Sequence, residues 1–253
     1  MAVAGAPSVV FASSTLQTDE KSHSFSNWGW EQLVFGIGAL LVIAGVVRQM
    51  IQRPTYGELR SQSLAANVIA AGRASAMEGV LRAILSDLAT SIGADSKNFR
   101  VNVYCYLEES FVLLSRVAKN PEWRRRGLSK IPMGWGVINR VWTEDKSVRI
   151  KLAKDRPEWE REMIEEGFPA DLAGKFRMQS RSFVGARIDA RLPSERVPIG
   201  VLVMESVTPL GVNGRHLDRL LQDPLWKTLQ DAMANAKEHF PEVARGLAQL
   251  DPE

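Results

Sequence analysis

Phe99-Arg-Val-Asn-Val-Tyr-Cys-Tyr-Leu107, then Glu108-Glu109-Ser110, then Phe111-Val-Leu-Leu-Ser-Arg-Val117 is the stretch that sets the fold class. The first run alternates apolar and polar through Val101, Val103 and Cys105, the period of two that a half-buried strand requires. The short acidic break predicts a turn, and Phe111 to Val117 the returning strand of a hairpin. Alternation places Tyr104 and Tyr106 on the face opposite Val103 and Cys105. A second strand pair follows at Ser182 to Asp189 and Ile199 to Val207, separated by Pro193, Ser194 and Glu195. Antiparallel strands with grouped helices argue an α+β domain.

Working outward, the segment between the two pairs carries a short helix after Gly136, a strand near Val148 to Leu152 and a charged helix opened by Pro157. Pro121-Glu122-Trp123 and Pro157-Glu158-Trp159 both read as helix starts with proline in the first turn. A final helix is predicted from His216 to Lys237 on Leu217, Leu220, Leu221, Leu225 and Leu229, leaving 240–253 as a C-terminal tail. Upstream, residues 54–92 form a linking helix: after Pro54 there is no proline up to Ile92, and alanine is abundant. Ala70, Ala74, Met77, Leu81, Ile84 and Leu88 recur at spacings of four and three. That seam suits either an amphipathic helix packed on its own domain or a parallel homodimer contact, a version that Gly72 and Gly79 weaken. Gly93 supplies the stop.

Leu33 to Val47 contains only Leu, Val, Ile, Phe, Ala and Gly. A bilayer core of about 30 Å needs about 17 to 25 helical residues. With Trp28 and Trp30 at headgroup level, Gln49 to Ile51 extending the helix and Arg48 snorkelling, residues 28–51 are predicted to span the membrane once. Residues 1–27 become a flexible extracytoplasmic tail. Lys21 lies before the run and Arg48, Arg53 and Arg60 after it, so the body faces the cytoplasm of a cell-membrane protein. A signal peptide fits poorly, because the run starts past residue 30 and ends in arginine. A buried core helix remains the rival reading.

The chain has 253 residues, a formal net charge of +3 and a single cysteine, Cys105. One thiol excludes an intrachain disulfide and zinc-finger or ferredoxin-type sites, and nothing in the charge balance demands nucleic acid. His23, His216 and His239 are scattered, no P-loop or Gly-x-Ser-x-Gly is present, and Gly134-Trp135-Gly136 lacks the third glycine of a dinucleotide loop. Its expected role is a tight turn before a helix. Glu108-Glu109 and Glu165-Glu166 are expected to be solvated, so the chain is expected not to be an enzyme, and no cofactor is implied. Trp123-Arg124-Arg125-Arg126 sets an aromatic beside three guanidinium groups, suited to an anionic ligand or lipid, or else a solvated basic loop. Tyr104, Tyr106, Trp135, Arg187 and Met204 are the pocket candidates, set against plain core packing.

Met133-Gly-Trp-Gly-Val-Ile138, followed by Val141-Trp142 and a strand, resembles the glycine-marked helix of GAF domains, small-molecule sensor modules. Pro198-Ile-Gly-Val-Leu-Val-Met-Glu-Ser206 before a last helix resembles that fold's closing strand. The resemblance covers about Ala76 to His239, giving a GAF-like domain at 76–239. It implies a central antiparallel sheet flanked by helices, with a pocket on one face roofed by the middle segments, and frequently a dimer on the first and last helices. The cyclic-nucleotide signature of that family is missing, and Gly174-Lys-Phe-Arg177 does not replace it. Bilin attachment would need a cysteine, but Cys105 in the first strand reads as a small buried hydrophobe. Methionine sulfoxide reductase relatives use several cysteines, and one cannot run their disulfide cycle. The expectation is therefore a membrane-anchored cytoplasmic GAF-like sensor that binds a small molecule or protein and signals through an associated protein. The alternative is a ligand-free structural adaptor or dimerisation platform.

Overall fold

The structure, a computed structural model, describes residues 30–51, 56–94, 96–125, 127–149, 151–191 and 195–250. The tail expected at 1–27, together with Trp28, Pro54 and the Pro193-Ser194 turn, lies outside them. The chain divides into two compact units, residues 1–59 and 60–253.

In the first unit, α1 (Trp30–Ile51) is a 22-residue helix. Ile37, Leu40, Leu41, Val42, Ile43 and Val46 are all exposed, so its apolar surface runs all the way round. Among the described residues, however, no helix is long and apolar enough to cross a membrane. The transmembrane helix expected at 28–51 is corrected accordingly. Its strictly apolar core, Leu33 to Val47, is shorter than a bilayer-spanning helix needs and is closed off by Glu31 and Arg48.

In the second unit a six-stranded, wholly antiparallel sheet has the order β3-β2-β1-β6-β5-β4. Its strands are β1 (Phe99–Leu107), β2 (Ser110–Ala118), β3 (Lys130–Pro132), β4 (Lys146–Arg149), β5 (Ser182–Arg191) and β6 (Arg196–Ser206). Glu108 and Glu109 turn the first hairpin with φ of 48° and 56°, the left-handed pair that matches strand twist in a two-residue loop. The register of β1 on β2 shifts between Val103 and Tyr104. Ser115 pairs with Val103 and Leu113 with Tyr104, leaving Leu114 as the extra residue. Leu114 and Ser115 therefore share one face, and Arg116, opposite Asn102, turns to the other.

One face of the sheet is covered by α2 (Tyr56–Ser91), α7 (Gly214–Gln222), α8 (Pro224–Ala236) and α9 (Phe240–Leu250). Val103, Cys105, Leu114, Val184, Ile188, Leu202 and Met204 meet Leu81, Leu85, Leu88, Leu220, Leu229 and Met233 there. The seam of α2 thus packs on its own domain, as the first of the two readings of that helix has it. Two boundaries differ from expectation. The single helix expected from His216 to Lys237 breaks at Asp223, whose backbone is extended and whose side chain accepts from Leu225 N at 2.8 Å. The tail expected at 240–253 instead contains α9, with Phe240, Val243 and Leu247 buried. A Cβ on Gly246 would lie 2.4 Å from the Ala70 carbonyl, so α9 seats on α2 upstream of the expected domain start at Ala76.

The other face carries α3 (Pro121–Arg124), α4 (Gly136–Glu144), α5 (Arg156–Glu165) and α6 (Ala170–Ala173). Both Pro-Glu-Trp segments start helices, as expected. Gly134-Trp135-Gly136 makes the turn into α4, and there glycine is required: Gly136 has φ +64°, and a Cβ would fall 2.0 Å from the Phe168 ring. The strand expected near Val148 to Leu152 ends at Arg149, while Leu152 is fully buried. Glu166 is not solvated, in contrast to expectation. Its side chain is 5% exposed and lies 3.0 Å from both Arg140 and Arg149, which ties α5 to α4 and β4.

Candidate functional site

A cavity of about 760 Å³ lies between this second face and the segments above it. Its floor comes from alternate residues of the sheet strands. Arg100 and Tyr104 point up from β1, Val203 and Glu205 from β6, and Arg116 from β2 beyond the bulge. Its roof is α5, α6 and the loop into β5, with Trp159, Met163, Leu172 and Phe176 facing in, and one wall is the loop after α3. Trp159 is held by its own indole, which donates to the Ser180 carbonyl at 2.7 Å. Phe176 meets Trp159 edge-on at 6.2 Å and Phe168 at 5.0 Å. Arg156 lies 4.8 Å over the Trp159 ring and donates to the Gly174 and Phe176 carbonyls, fixing the roof from outside.

The polar part of the floor is one connected network. Glu205 accepts from Arg100 at 2.7 Å, from Asn102 at 2.5 Å and from the Ser180 hydroxyl at 2.7 Å. Arg116 donates to the Asn102 side-chain carbonyl at 2.6 Å and to the Arg125 carbonyl at 2.5 Å. Burial alone would raise the Glu205 pKa, but Arg100, the Ser180 hydroxyl and Arg116 hold the carboxyl below its usual range. Burial pushes the Tyr104 hydroxyl up, against the opposing pull of Arg116, and pushes Arg116 down. Tyr104 therefore stays neutral, and Glu205 a charged acceptor.

The pocket candidates do not converge. Tyr104 lies in the cavity floor. Tyr106 stacks on Trp142 at 4.4 Å with its hydroxyl 3.5 Å from the Met133 sulfur, beyond the cavity. Trp135 caps α4 and packs beside the apolar cluster without lining the space. Met204 is buried on the opposite, helix-covered face, because it alternates with Val203 and Glu205. Arg187 pairs with Asp189 at 2.9 Å and lines a separate cavity of about 230 Å³ with Asp145, Arg196 and Trp226. Of the basic run, Arg125 and Trp123 line the main cavity, Arg124 donates to the Ala118 carbonyl at 2.6 Å, and Arg126 lies outside the described residues. The buried Cys105 thiol is on the face opposite the cavity, and burial pushes its pKa up to about 12.

A pocket roofed by the middle segments was implied by the resemblance, but Arg116, Glu205 and the individual roof residues were not among the candidates. A lone glutamate ending the apolar run Ile199 to Met204 was the available signal for the floor, and the Trp159 of Pro-Glu-Trp the signal for the roof. Arg116 had none, since strict alternation puts it on the other face. Among the described residues no cluster of His, Cys, Asp and Glu could hold a metal ion.

No family model matches the chain, and no curated protein matches it. Solved structures do. One is the type II free methionine-R-sulfoxide reductase from Thermoplasma acidophilum, at 13% identity and TM-score 0.42, covering 65% of this chain and 96% of that one. Another is the GAF domain of Acinetobacter phosphoenolpyruvate-protein phosphotransferase, at 17% and 0.42, covering 69% and 94%. A third is a putative GAF sensor protein from Burkholderia vietnamiensis, at 16% and 0.39, covering 72% and 98%. At these identities and scores no residue role or activity passes from them to this chain. The six-stranded antiparallel sheet with flanking helices fits a GAF-like α+β fold. The expectation that the chain is not an enzyme is corrected: reductases stand beside sensors among the similar structures, so the fold gives no ground for excluding catalysis.

Proposed function

We propose that residues 60–253 form a GAF-like sensor module that takes a small molecule into the roofed cavity, and that α1 attaches this module to a membrane on its cytoplasmic side. The observation that carries the reading is the cavity itself. At about 760 Å³ it falls within the range of ligand pockets, apolar and aromatic with a few convergent polar groups. The adaptor alternative is better served by a sheet face filled with side chains. Membrane attachment is supported by the all-round apolar surface of α1, which water tolerates poorly, and the cytoplasmic side by Arg48, Arg53 and Arg60, whose charge suits an anionic cytoplasmic leaflet. The signal would leave through α2 to a partner protein, since Ser115, beside Arg116, donates its hydroxyl to the Glu78 carbonyl of α2.

The test is thermal unfolding of the purified chain against a panel of small metabolites, with Leu172→Trp as a variant whose roof side chain fills the cavity. A ligand at a hundredfold excess over its Kd stabilises by about 2.7 kcal/mol, which raises Tm by roughly 5 °C or more in a domain of this size. The shift should be missing in Leu172→Trp. If no compound shifts the wild type more than the variant, the ligand-binding reading fails.

A further inference from the structure

Around the cavity five cationic side chains, Arg100, Arg116, Arg125, Lys175 and Arg177, stand against two carboxylates, Glu122 and Glu205. Glu205 is committed to Arg100 at 2.7 Å, and Lys175 has Asp171 at 3.7 Å. Arg125 and Arg177 have no carboxylate within ion-pair distance among the described residues, and neither side chain is held by a hydrogen bond there. They come from different loops, one after α3 and one between α6 and β5, and both face the same space. Guanidinium forks on opposite loops suit a planar or tetrahedral oxyanion. The deeper lining is of another kind: Trp159, Phe168, Phe176 and Phe183 offer faces and edges to a ring or other flat apolar body.

We propose that the ligand of this cavity is a small amphipathic anion, with a carboxylate, phosphate or sulfonate between Arg125 and Arg177 at the wall and an apolar, ring-bearing body under Trp159 and Phe176. This rests on the ligand-binding reading above and adds the ligand's charge and polarity. An anion there compensates the surplus positive charge of the lining. A neutral molecule leaves that charge facing an apolar body, so the two classes should bind differently.

The experiment uses two probes with the same ring system, 1-anilinonaphthalene-8-sulfonate and the uncharged N-phenyl-1-naphthylamine, titrated by fluorescence into the full chain. Leu172→Trp subtracts any dye held by α1 or the surface. The expected result is a sulfonate signal that disappears in Leu172→Trp, with a Kd about tenfold or more below that of the uncharged dye. The double variant Arg125→Gln/Arg177→Gln, altered only at cavity-wall loops, should weaken the sulfonate about tenfold, leave the uncharged dye unchanged and keep the wild-type circular dichroism. Equal affinity for both dyes, or a sulfonate affinity indifferent to the double variant, would overturn the anion assignment and leave the cavity reading standing. A signal from neither dye that depends on Leu172 would remove both.

Discussion

Glu205 is the residue on which the floor of the cavity turns. Its carboxyl pKa is held below the ordinary value of 4.5 by Arg100, the Ser180 hydroxyl and Arg116, against the upward push of burial. A depressed carboxylate contributes stability that is present above about pH 4.5 and is lost as pH falls through the folded-state value. Glu205→Gln lacks that contribution, so in urea unfolding the stability gap between wild type and variant should hold constant above about pH 5 and shrink as pH falls below about 4.5. A gap that stays constant below that pH as well would show that the charge contributes nothing. Cys105 has the opposite sign: its pKa, raised from 9.0 to about 12, favours the folded state below pH 9, a contribution lost as pH rises toward 12. Because the thiolate is the reactive form, alkylation at pH 8 should run at least about a hundredfold slower in the native chain than in urea. At this scale the sequence was only partly legible. Alternation correctly set Tyr104 opposite Cys105, but a one-residue bulge, with no signature of its own in Phe111 to Val117, reversed the side to which Arg116 points.

Elements were more legible than residues, because period and punctuation act over many positions. Both hairpins, the linking helix and the two proline-opened helices stand where alternation, alanine content and Pro-Glu-Trp placed them. Misses came where local signals compete. Asp223-Pro224 begins a new helix inside an apolar repeat that runs straight through it. Pro241 disguised α9 as a tail, although in the first turn of a helix proline costs nothing. The packing of α9 gives a direct check. Gly246→Val would drive a side chain into the Ala70 backbone and the Ala74 methyl, and overpacking of this kind costs about 1–3 kcal/mol. Amide exchange should quicken in α9 and around Ala70 but not in β5 or β6. Leu81→Ala, at a fully buried position of α2, should cost about 2–5 kcal/mol in chemical unfolding, the cost of a core position.

For the whole molecule, the sequence yields a two-part plan and a sheet of antiparallel hairpins, and the family resemblance a roofed pocket, but not the cavity's lining, which is built by loops and short helices whose approach depends on packing across the sheet. Attachment through α1 has its own check. Replacing Leu41 and Val42 by lysine should move the chain from the membrane pellet to the supernatant, while residues 60–253 keep their fold by circular dichroism. An unchanged pellet fraction would mean that something other than α1 holds it. The central claim is that the roofed cavity holds a small molecule. Native mass spectrometry of the full chain, released from cells in mild detergent and never refolded, tests it most directly. The expected spectrum shows an added mass of small-molecule size that is missing from Leu172→Trp prepared in the same way. The bare chain mass in both, or an added mass that survives in Leu172→Trp, would contradict it.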